Sequence, residues 1–339
     1  MPKKLRIPEK KYHDYDVVTV GSGTIDVFVD TENRIIHDKK TKKTKDLIAY
    51  PLGSKILIDS LKFDVGGGGT NTAVALSRFG LKTGWIGSIG RDENSQKILD
   101  WIEEEGIDFL GRTGKEGAGY SVILDSKGRD RTILTFKGEN NNLKYSDIRK
   151  EDLETKWLYF CSMVGKSFHS QKRLAGFARR KGIKVAFNPS SYQAKLGEKK
   201  LRPILKNTDL LILNLEEAGM LVGEGSLSEM MEKMHKTGPG VVIVTDGAEG
   251  AYCSDGWSIY KAHARKVKIR ETTGAGDSFA SSFLGAMIKT DDIKKSLKIA
   301  TINSESVVMS YGAKNVLLGW DKALKREKNA KIRITKVEE

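Results

Sequence analysis

The 339-residue chain is poor in several features that mark other protein classes. It has two cysteines, Cys161 and Cys253, both in apolar strand-like segments, which argues against a disulfide-stapled scaffold. Five histidines, His13, His37, His169, His235 and His263, are scattered without metal-ligand spacing, so each is expected to be structural. No apolar run approaches about 18 residues, the length that a membrane-spanning helix requires. Met1-Pro2-Lys3-Lys4-Leu5 leads into no signal-peptide core, so a cytoplasmic enzyme is expected rather than a secreted or membrane protein. No internal repeat and no Pro- or Ser-rich linker divides the chain, which is long enough to bury a large core.

Positive charge is in excess, with a net charge of +14. Much of it lies in the first dozen residues, in Lys39-Lys40-Thr41-Lys42-Lys43-Thr44-Lys45 and between Lys322 and Lys336. Such runs read as solvated loops and ends. The expected organisation is a basic N-terminal extension over 1–15, a folded domain over 16–320 and a basic C-terminal tail over 321–339. The runs lack interleaved aromatics for stacking on bases, so nucleic acid is not an expected partner. A basic surface would still steer in an anionic nucleotide.

Along the chain, Asp16-Val17-Val18-Thr19-Val20, Trp157-Leu158-Tyr159-Phe160, Lys184-Val185-Ala186-Phe187, Leu210-Leu211-Ile212-Leu213 and Val241-Val242-Ile243-Val244 read as buried strands. Helical patterns separate them, at 95–105, 171–180, 216–221 and 228–236. Apolar strands alternating with amphipathic helices predict a mostly parallel sheet covered on both faces, with ligands beyond the carboxyl ends of its strands. Asn188, Asn214 and Thr245 fall at such ends. The segments 24–64 and 118–137 break the rhythm with short alternating strands. In the second, Ser126-Lys127-Gly128-Arg129 reads as a hairpin tip. Edge strands of the main sheet, or a separate small sheet, both fit this pattern.

Two glycine-rich segments carry the chemistry. In Glu271-Thr272-Thr273-Gly274-Ala275-Gly276-Asp277-Ser278-Phe279 a tight turn leads into a helix expected from near Gly276, with Phe279, Phe283, Leu284 and Met287 at helical spacing. The unpaired N–H groups and dipole of a helix start favour an anion such as phosphate. Asp277 beside that anion site would suit proton abstraction from a hydroxyl, or would merely complement the helix dipole. Upstream, Gly66-Gly67-Gly68-Gly69-Thr70-Asn71 precedes a helical run ending near Gly80. As a dinucleotide fingerprint it fails, because Asn71 stands where the last glycine of G-x-G-x-x-G would be.

In this order the segments resemble the PfkB/ribokinase family of sugar and nucleoside kinases, from about Asp16 to Asn315. The family's G-G-x-G-x-N stands at 66–71. Its D-T-x-G-A-G-D stands at 271–277, departing at Glu271. Asn214-Leu215-Glu216-Glu217 matches N-x-x-E, and Thr245-Asp246-Gly247-Ala248-Glu249-Gly250 matches T-x-G-x-x-G. The resemblance implies a ribokinase-like three-layer α/β/α domain with a small β-sheet lid formed by 24–64 and 118–137, through which the chain would form a homodimer. A lid would exclude water that competes as phosphoryl acceptor.

The resemblance also implies roles for residues. Asp277 would be general base, with the Gly274, Ala275 and Gly276 N–H groups as anion hole. Asn214 and Glu217 would organise Mg²⁺ through water, although N-x-x-E is equally a helix capping box. Thr245, Gly247 and Gly250 would line the ATP site, and Asn303 its adenine side. Asp26, in Gly21-Ser22-Gly23-Thr24-Ile25-Asp26, would grip sugar hydroxyls together with Gly66, Gly67 and Asn71; a turn residue is the plainer reading of Asp26. Glu271, with Ser310-Tyr311-Gly312-Ala313, corresponds to a loop that holds a monovalent cation such as K⁺ in relatives.

Thr24 replaces the Asn common in ribokinases, and 159–164 lacks the acidic residue that ribokinases place against the sugar, which argues against ribose itself. The expected activity is ATP-dependent phosphorylation of a primary hydroxyl on an unphosphorylated furanose or ketose. Arg129 and Arg131 would instead suit a phosphorylated acceptor. A nucleoside kinase is favoured if Tyr120 or Phe136 faces the acceptor pocket. A non-catalytic sugar- or nucleotide-binding regulator is the third class.

Overall fold

Short apolar runs bounded by turn residues build the centre of the molecule. The computed structural model describes residues 6, 14–31, 34–38, 45–124, 132–150, 153–270, 272, 274–310 and 316–337. The strand Tyr15–Val20 pairs in parallel with Thr83–Ile86 on one side and Thr155–Phe160 on the other. Lys184–Phe187, Leu210–Asn214 and Val241–Thr245 continue the parallel array, and Asp108–Phe109 closes the far edge. Ala251–Ser254, Ile259–Ala262 and Ile334–Val337 extend it antiparallel, giving a ten-stranded sheet.

Alternate residues of the strands serve opposite faces. Val17, Tyr159, Ala186, Ile212 and Ile243 pack against a layer containing Phe279, Phe283, Leu284 and Leu297. Val18, Leu158, Val185, Leu211 and Val242 pack with Leu174, Leu201, Ile204, Met230 and Met234. Both faces are therefore covered, which explains why the strands are apolar throughout. This is the three-layer arrangement anticipated from the alternation of patterns.

The segments 24–64 and 118–137 form a separate four-stranded sheet, not edges of the main one, and Arg34–Asp38 pairs with Lys45–Ala49 in a two-stranded sheet of its own. Thr24–Thr31 lies between Ile58–Gly66 (antiparallel) and Gly119–Leu124 (parallel), and Gly119–Leu124 pairs antiparallel with Thr132–Phe136. Its tip at 125–131, including Arg129 and Arg131, lies outside the described residues. Ile25, Val27 and Val29 anchor the sheet on Val74, Trp85, Ile98 and Ile102. The start of helix Glu93–Glu104 is capped by Asp92, which accepts from the Ser95 N–H at 2.9 Å.

The expected C-terminal tail is a correction. Trp320–Ala330 is a helix and Ile334–Val337 is the edge strand of the main sheet. Ala323 and Ile332 are buried against Phe79, Ile299 and Ile302, with Leu324 and Ile334 packed beside them. The lysines occupy the outer face, so a run that reads as solvated charge conceals an amphipathic element. Of 1–13, only Arg6 is described; its N–H donates to Gln96 Oε1 at 2.7 Å.

Candidate active site

The acceptor side is built where the strand Tyr15–Val20 ends. Its exit turn meets the glycine cluster at contact distance. Gly67 has φ 97°, and a Cβ there would lie 2.5 Å from the Ser22 carbonyl oxygen. A Cβ on Gly66 would lie 1.9 Å from Asp26 Oδ2, so the Asp26 carboxylate rests directly on the glycine backbone. Thr24 Oγ1 donates to Asp26 Oδ1 at 2.8 Å, so the threonine that departs from the family pattern orients this carboxylate. Asn140 fixes the turn from the other side, donating to the Gly23 carbonyl at 2.9 Å and accepting from its N–H at 3.1 Å.

Asn71 lies in the first turns of helix Gly68–Arg78, and its Nδ2 donates to Asp277 Oδ2 at 2.9 Å. A charge-assisted bond thus joins the two glycine motifs across 206 residues of sequence. Asn71 Oδ1 is buried and has no partner among the described residues. Asp277 itself stands in the first turn of helix Ala275–Thr290, whose cap Gly274 is left-handed at φ 77°. Among the described residues a Cβ on Gly276 would meet nothing within 4 Å, so no described side chain closes over this stretch of backbone. The Ala275 N–H differs from expectation: it donates to the Thr272 carbonyl at 3.3 Å, because the turn closes on itself before the helix begins.

Asn214 and Glu217 form a reciprocal capping box, with Asn214 Oδ1 accepting from the Glu217 N–H at 2.8 Å and Glu217 Oε2 from the Asn214 N–H at 3.1 Å. Burial holds the Glu217 carboxyl above its ordinary pKa; the Asn214 N–H opposes this, while the charges of Glu216 and Asp277 reinforce it. Glu217 therefore lies within electrostatic reach of Asp277. Thr245 is the register partner of Asn214, so both stand side by side at adjacent strand ends.

A Cβ on Gly247 would meet none of the described residues within 4 Å, whereas one on Gly250 would lie 2.0 Å from the Ala262 carbonyl oxygen. Packing therefore accounts for glycine at 250. Asn303 is placed otherwise than expected. It is fully buried; its Nδ2 donates to Ser282 Oγ at 2.7 Å, and its Oδ1 accepts from the Leu318 N–H at 2.9 Å and the Ser306 hydroxyl at 3.3 Å. It ties two helices to the chain at 318 rather than facing a nucleotide.

The register also places Tyr120 and Phe136. Ser121 pairs with Asp26 and Thr135, so these three share one face; Tyr120, Ile25 and Phe136 share the other. Neither lid aromatic faces Asp26. A cleft whose Lys137 feels the charge of Asp26 is bounded by Lys137, Asn141, Ser162 and Tyr192; of these only Ser162 lies in a segment, 159–164, that the family resemblance places against the sugar. They come from three separate segments; besides the place of Ser162 in 159–164, only the alternation Thr135-Phe136-Lys137, which turns Lys137 toward Asp26's side, was available as a signal. Glu271, Thr273 and 311–315 lie outside the described residues. Among the described residues no group of three or more His, Cys, Asp or Glu could hold a metal ion unaided.

Comparison with known proteins gives this geometry its class. Residues 38–318 match the pfkB family carbohydrate kinases, and the chain belongs to that family. An uncharacterised sugar kinase of Archaeoglobus fulgidus is 31% identical over 251 residues, covering 72% of this chain and 98% of that one. A 5-dehydro-2-deoxygluconokinase of Bacillus licheniformis is 24% identical over 323 residues, covering 90% and 93%. Among solved structures, Arabidopsis thaliana ribokinase complexed with ribose and ATP superposes with a TM-score of 0.77 at 20% identity, covering 93% of this chain and 99% of that one. The fold is the ribokinase fold, and the protein is a carbohydrate kinase.

Proposed function

We propose that the chain transfers the γ-phosphoryl group of ATP to a primary hydroxyl of a sugar, with Asp277 as general base. The observation that carries this reading is the 2.9 Å bond from Asn71 to Asp277, which unites the acceptor-side glycine turn and the open helix start. In the step, Asp277 takes the hydroxyl proton while the oxygen forms a bond to the γ-phosphorus. The bond from that phosphorus to the bridging oxygen breaks, and ADP leaves. The open backbone at Gly276, at the positive end of its helix, stabilises the equatorial phosphoryl charge. ATP as donor is supported by the ATP-bound plant ribokinase of the same fold.

Magnesium suits Glu217 better than Asn214. Glu217 is a buried carboxylate in the field of Asp277, where a cation relieves repulsion, whereas Asn214 Oδ1 already serves the helix cap. Bound through water, the ion would neutralise charge on the transferring phosphoryl. Thr245, beside Asn214, and Gly247 would form the nucleotide wall, whereas Gly250 and Asn303 serve packing. A K⁺ requirement rests on family resemblance alone.

The sugar reading is preferred to a nucleoside because Tyr120 and Phe136 turn away from Asp26. The lid is further proposed to pair with a second copy: Leu61, Phe63, Leu134 and Phe136 extend its core-facing side yet are 48%, 63%, 56% and 60% exposed. A cytoplasmic location fits two free, buried cysteines. Among the described residues no helix is long and apolar enough to cross a membrane. An ADP-release screen over free sugars, sugar phosphates and nucleosides, with and without K⁺, tests the activity; turnover confined to nucleosides would replace the sugar reading.

A further inference from the structure

The cleft ends in a lysine that feels the charge of Asp26 and has no oxygen partner among the described residues. Lys137 follows the strand Thr132–Phe136 on the side shared with Thr135 and Asp26. Its ammonium lies over the Tyr192 ring, 4.6 Å from the centroid, and makes no hydrogen bond or ion pair among the described residues. Burial pulls its pKa down, and the charge of Asp26 only partly restores it. An aromatic face answers part of a cation's charge but accepts none of its directed N–H bonds well. A half-buried ammonium left in that condition must take its oxygens from water or from a ligand, and a ligand that supplies them releases that water.

The other walls of the cleft show the same deficit. Ser162 Oγ and Asn141 Oδ1 are buried atoms without hydrogen-bond partners among the described residues. Ser22 and Met163 line the remaining space, a cavity of about 10 Å³ that admits one small polar group, the rest of a ligand lying in its mouth. A carboxylate can accept from both the Lys137 ammonium and the Ser162 hydroxyl, while Asn141 Oδ1 accepts from a neighbouring hydroxyl of the same molecule. A neutral sugar would serve Ser162 and Asn141 but leave the charge of Lys137 unanswered. A phosphate dianion would meet a single described cation, partly offset by Asp26, where phosphate sites gather several.

The cleft and Asp277 lie on two sides of one turn. The Ser22 carbonyl accepts from the Gly69 N–H at 3.0 Å, the Asn71 N–H donates to the Gly67 carbonyl at 2.8 Å, and Asn71 reaches Asp277. We propose that Lys137 is a specificity-determining residue that receives a carboxylate at the end of the acceptor remote from Asp277, so that the substrates are sugar acids with a terminal hydroxyl. This rests on the kinase reading above for the place of the reacting hydroxyl, but not for the binding of the acid.

Two measurements separate the inference from that reading. Calorimetry with the full chain and a non-hydrolysable ATP analogue compares D-gluconate and 2-keto-3-deoxy-D-gluconate with D-fructose, D-ribose and ribose 5-phosphate. ADP release is then followed for the same panel. The acids should bind in preference to the neutral sugars. Lys137→Met should lower the acid-to-neutral ratio of affinities by about 10²-fold, as loss of a partly buried charge partner does, and Lys137→Arg should restore much of it. Unchanged thermal melting of the variants excludes misfolding as the cause. Failure of both acids to bind, or an equal loss for acids and neutral sugars in Lys137→Met, overturns the inference and leaves the kinase reading intact. Lys137-dependent selection of ribose 5-phosphate over the acids overturns it in favour of a phosphate. Lys137-dependent acid binding without ADP release upholds the inference and overturns the kinase reading.

Discussion

The two glycine-rich segments use one residue type for opposite purposes. Around 66–69 the missing side chains are filled by protein: a Cβ would lie 1.9 Å from Asp26 at Gly66, 2.5 Å from Ser22 at Gly67 and 2.6 Å from Gly21 at Gly69. At Gly276 a Cβ would meet none of the described residues within 4 Å. The first segment is glycine so that the lid can dock on the main domain; the second is glycine where space is left beside an acid and a helix N-terminus. Both read alike as sequence. Filled glycines should report on stability, and open ones on ligand and turnover.

The largest effect expected concerns the residue that links the two segments. Asp277→Asn keeps the hydrogen-bonding shape of the side chain but removes its capacity as a base, so turnover should fall by at least ~10²-fold with little change in thermal stability. Steady-state kinetics and a melting curve of the same preparation check this. Near-normal turnover would remove Asp277 from the chemistry.

The comparison itself is tested by paired substitutions. Gly67→Ala places a side chain at φ 97° against the Ser22 carbonyl and should cost at least about 2 kcal/mol in denaturant unfolding. Gly276→Ala should leave stability unchanged or raise it by up to about 1 kcal/mol, since alanine is the better helix former. Its Cβ tilts toward the helix N-terminus, into the proposed phosphoryl space, and should lower turnover on the order of tenfold. Equal stability losses at both positions would show that openness at Gly276 has no functional meaning.

Asn303 belongs with the filled set although it was expected at the open one. Asn303→Ala leaves the Leu318 N–H without its acceptor in the core, and should cost about 1–3 kcal/mol of stability while ATP affinity by calorimetry stays unchanged. A selective loss of ATP affinity would return it to the nucleotide wall.

These cases indicate what the sequence made legible. The main sheet could be read because its strands are apolar on both faces and bounded by turn residues, as in Val241–Thr245. The lid hairpin could be read because Gly119–Leu124 and Thr132–Phe136 alternate around a turn. The C-terminal helix and edge strand could not, since Ala323, Leu324, Ile332 and Ile334 are spaced thinly among lysines. Asn303 was misplaced because a buried asparagine and a ligand-facing one look the same on a helical stretch. Lys137, Ser162 and Tyr192 are brought together only by tertiary folding, and no spacing rule reaches across three segments.

The smallest effect expected tests the residue that lies between filled and open space. Glu217 is buried, completes a helix cap and feels the charge of Asp277. Its folded-state pKa is raised, first by burial, so the folded protein favours the protonated form more than the unfolded chain does. The stability this group contributes is fully present below its unfolded pKa, near the ordinary value of 4.5, and is lost as pH rises through the higher folded value. At neutral pH its ionised form therefore opposes folding. Glu217→Gln keeps an oxygen for the Asn214 N–H but carries no charge, so it should melt above the wild type at pH 7, with the difference shrinking as pH falls toward 4.5. If Glu217 helps to hold Mg²⁺, the same variant should gain less stability from added Mg²⁺ and ADP than the wild type and should need more Mg²⁺ for half-maximal turnover. A melting difference independent of pH would mean that the buried charge is not what the substitution relieves. An unchanged Mg²⁺ requirement would leave Glu217 as a helix cap alone.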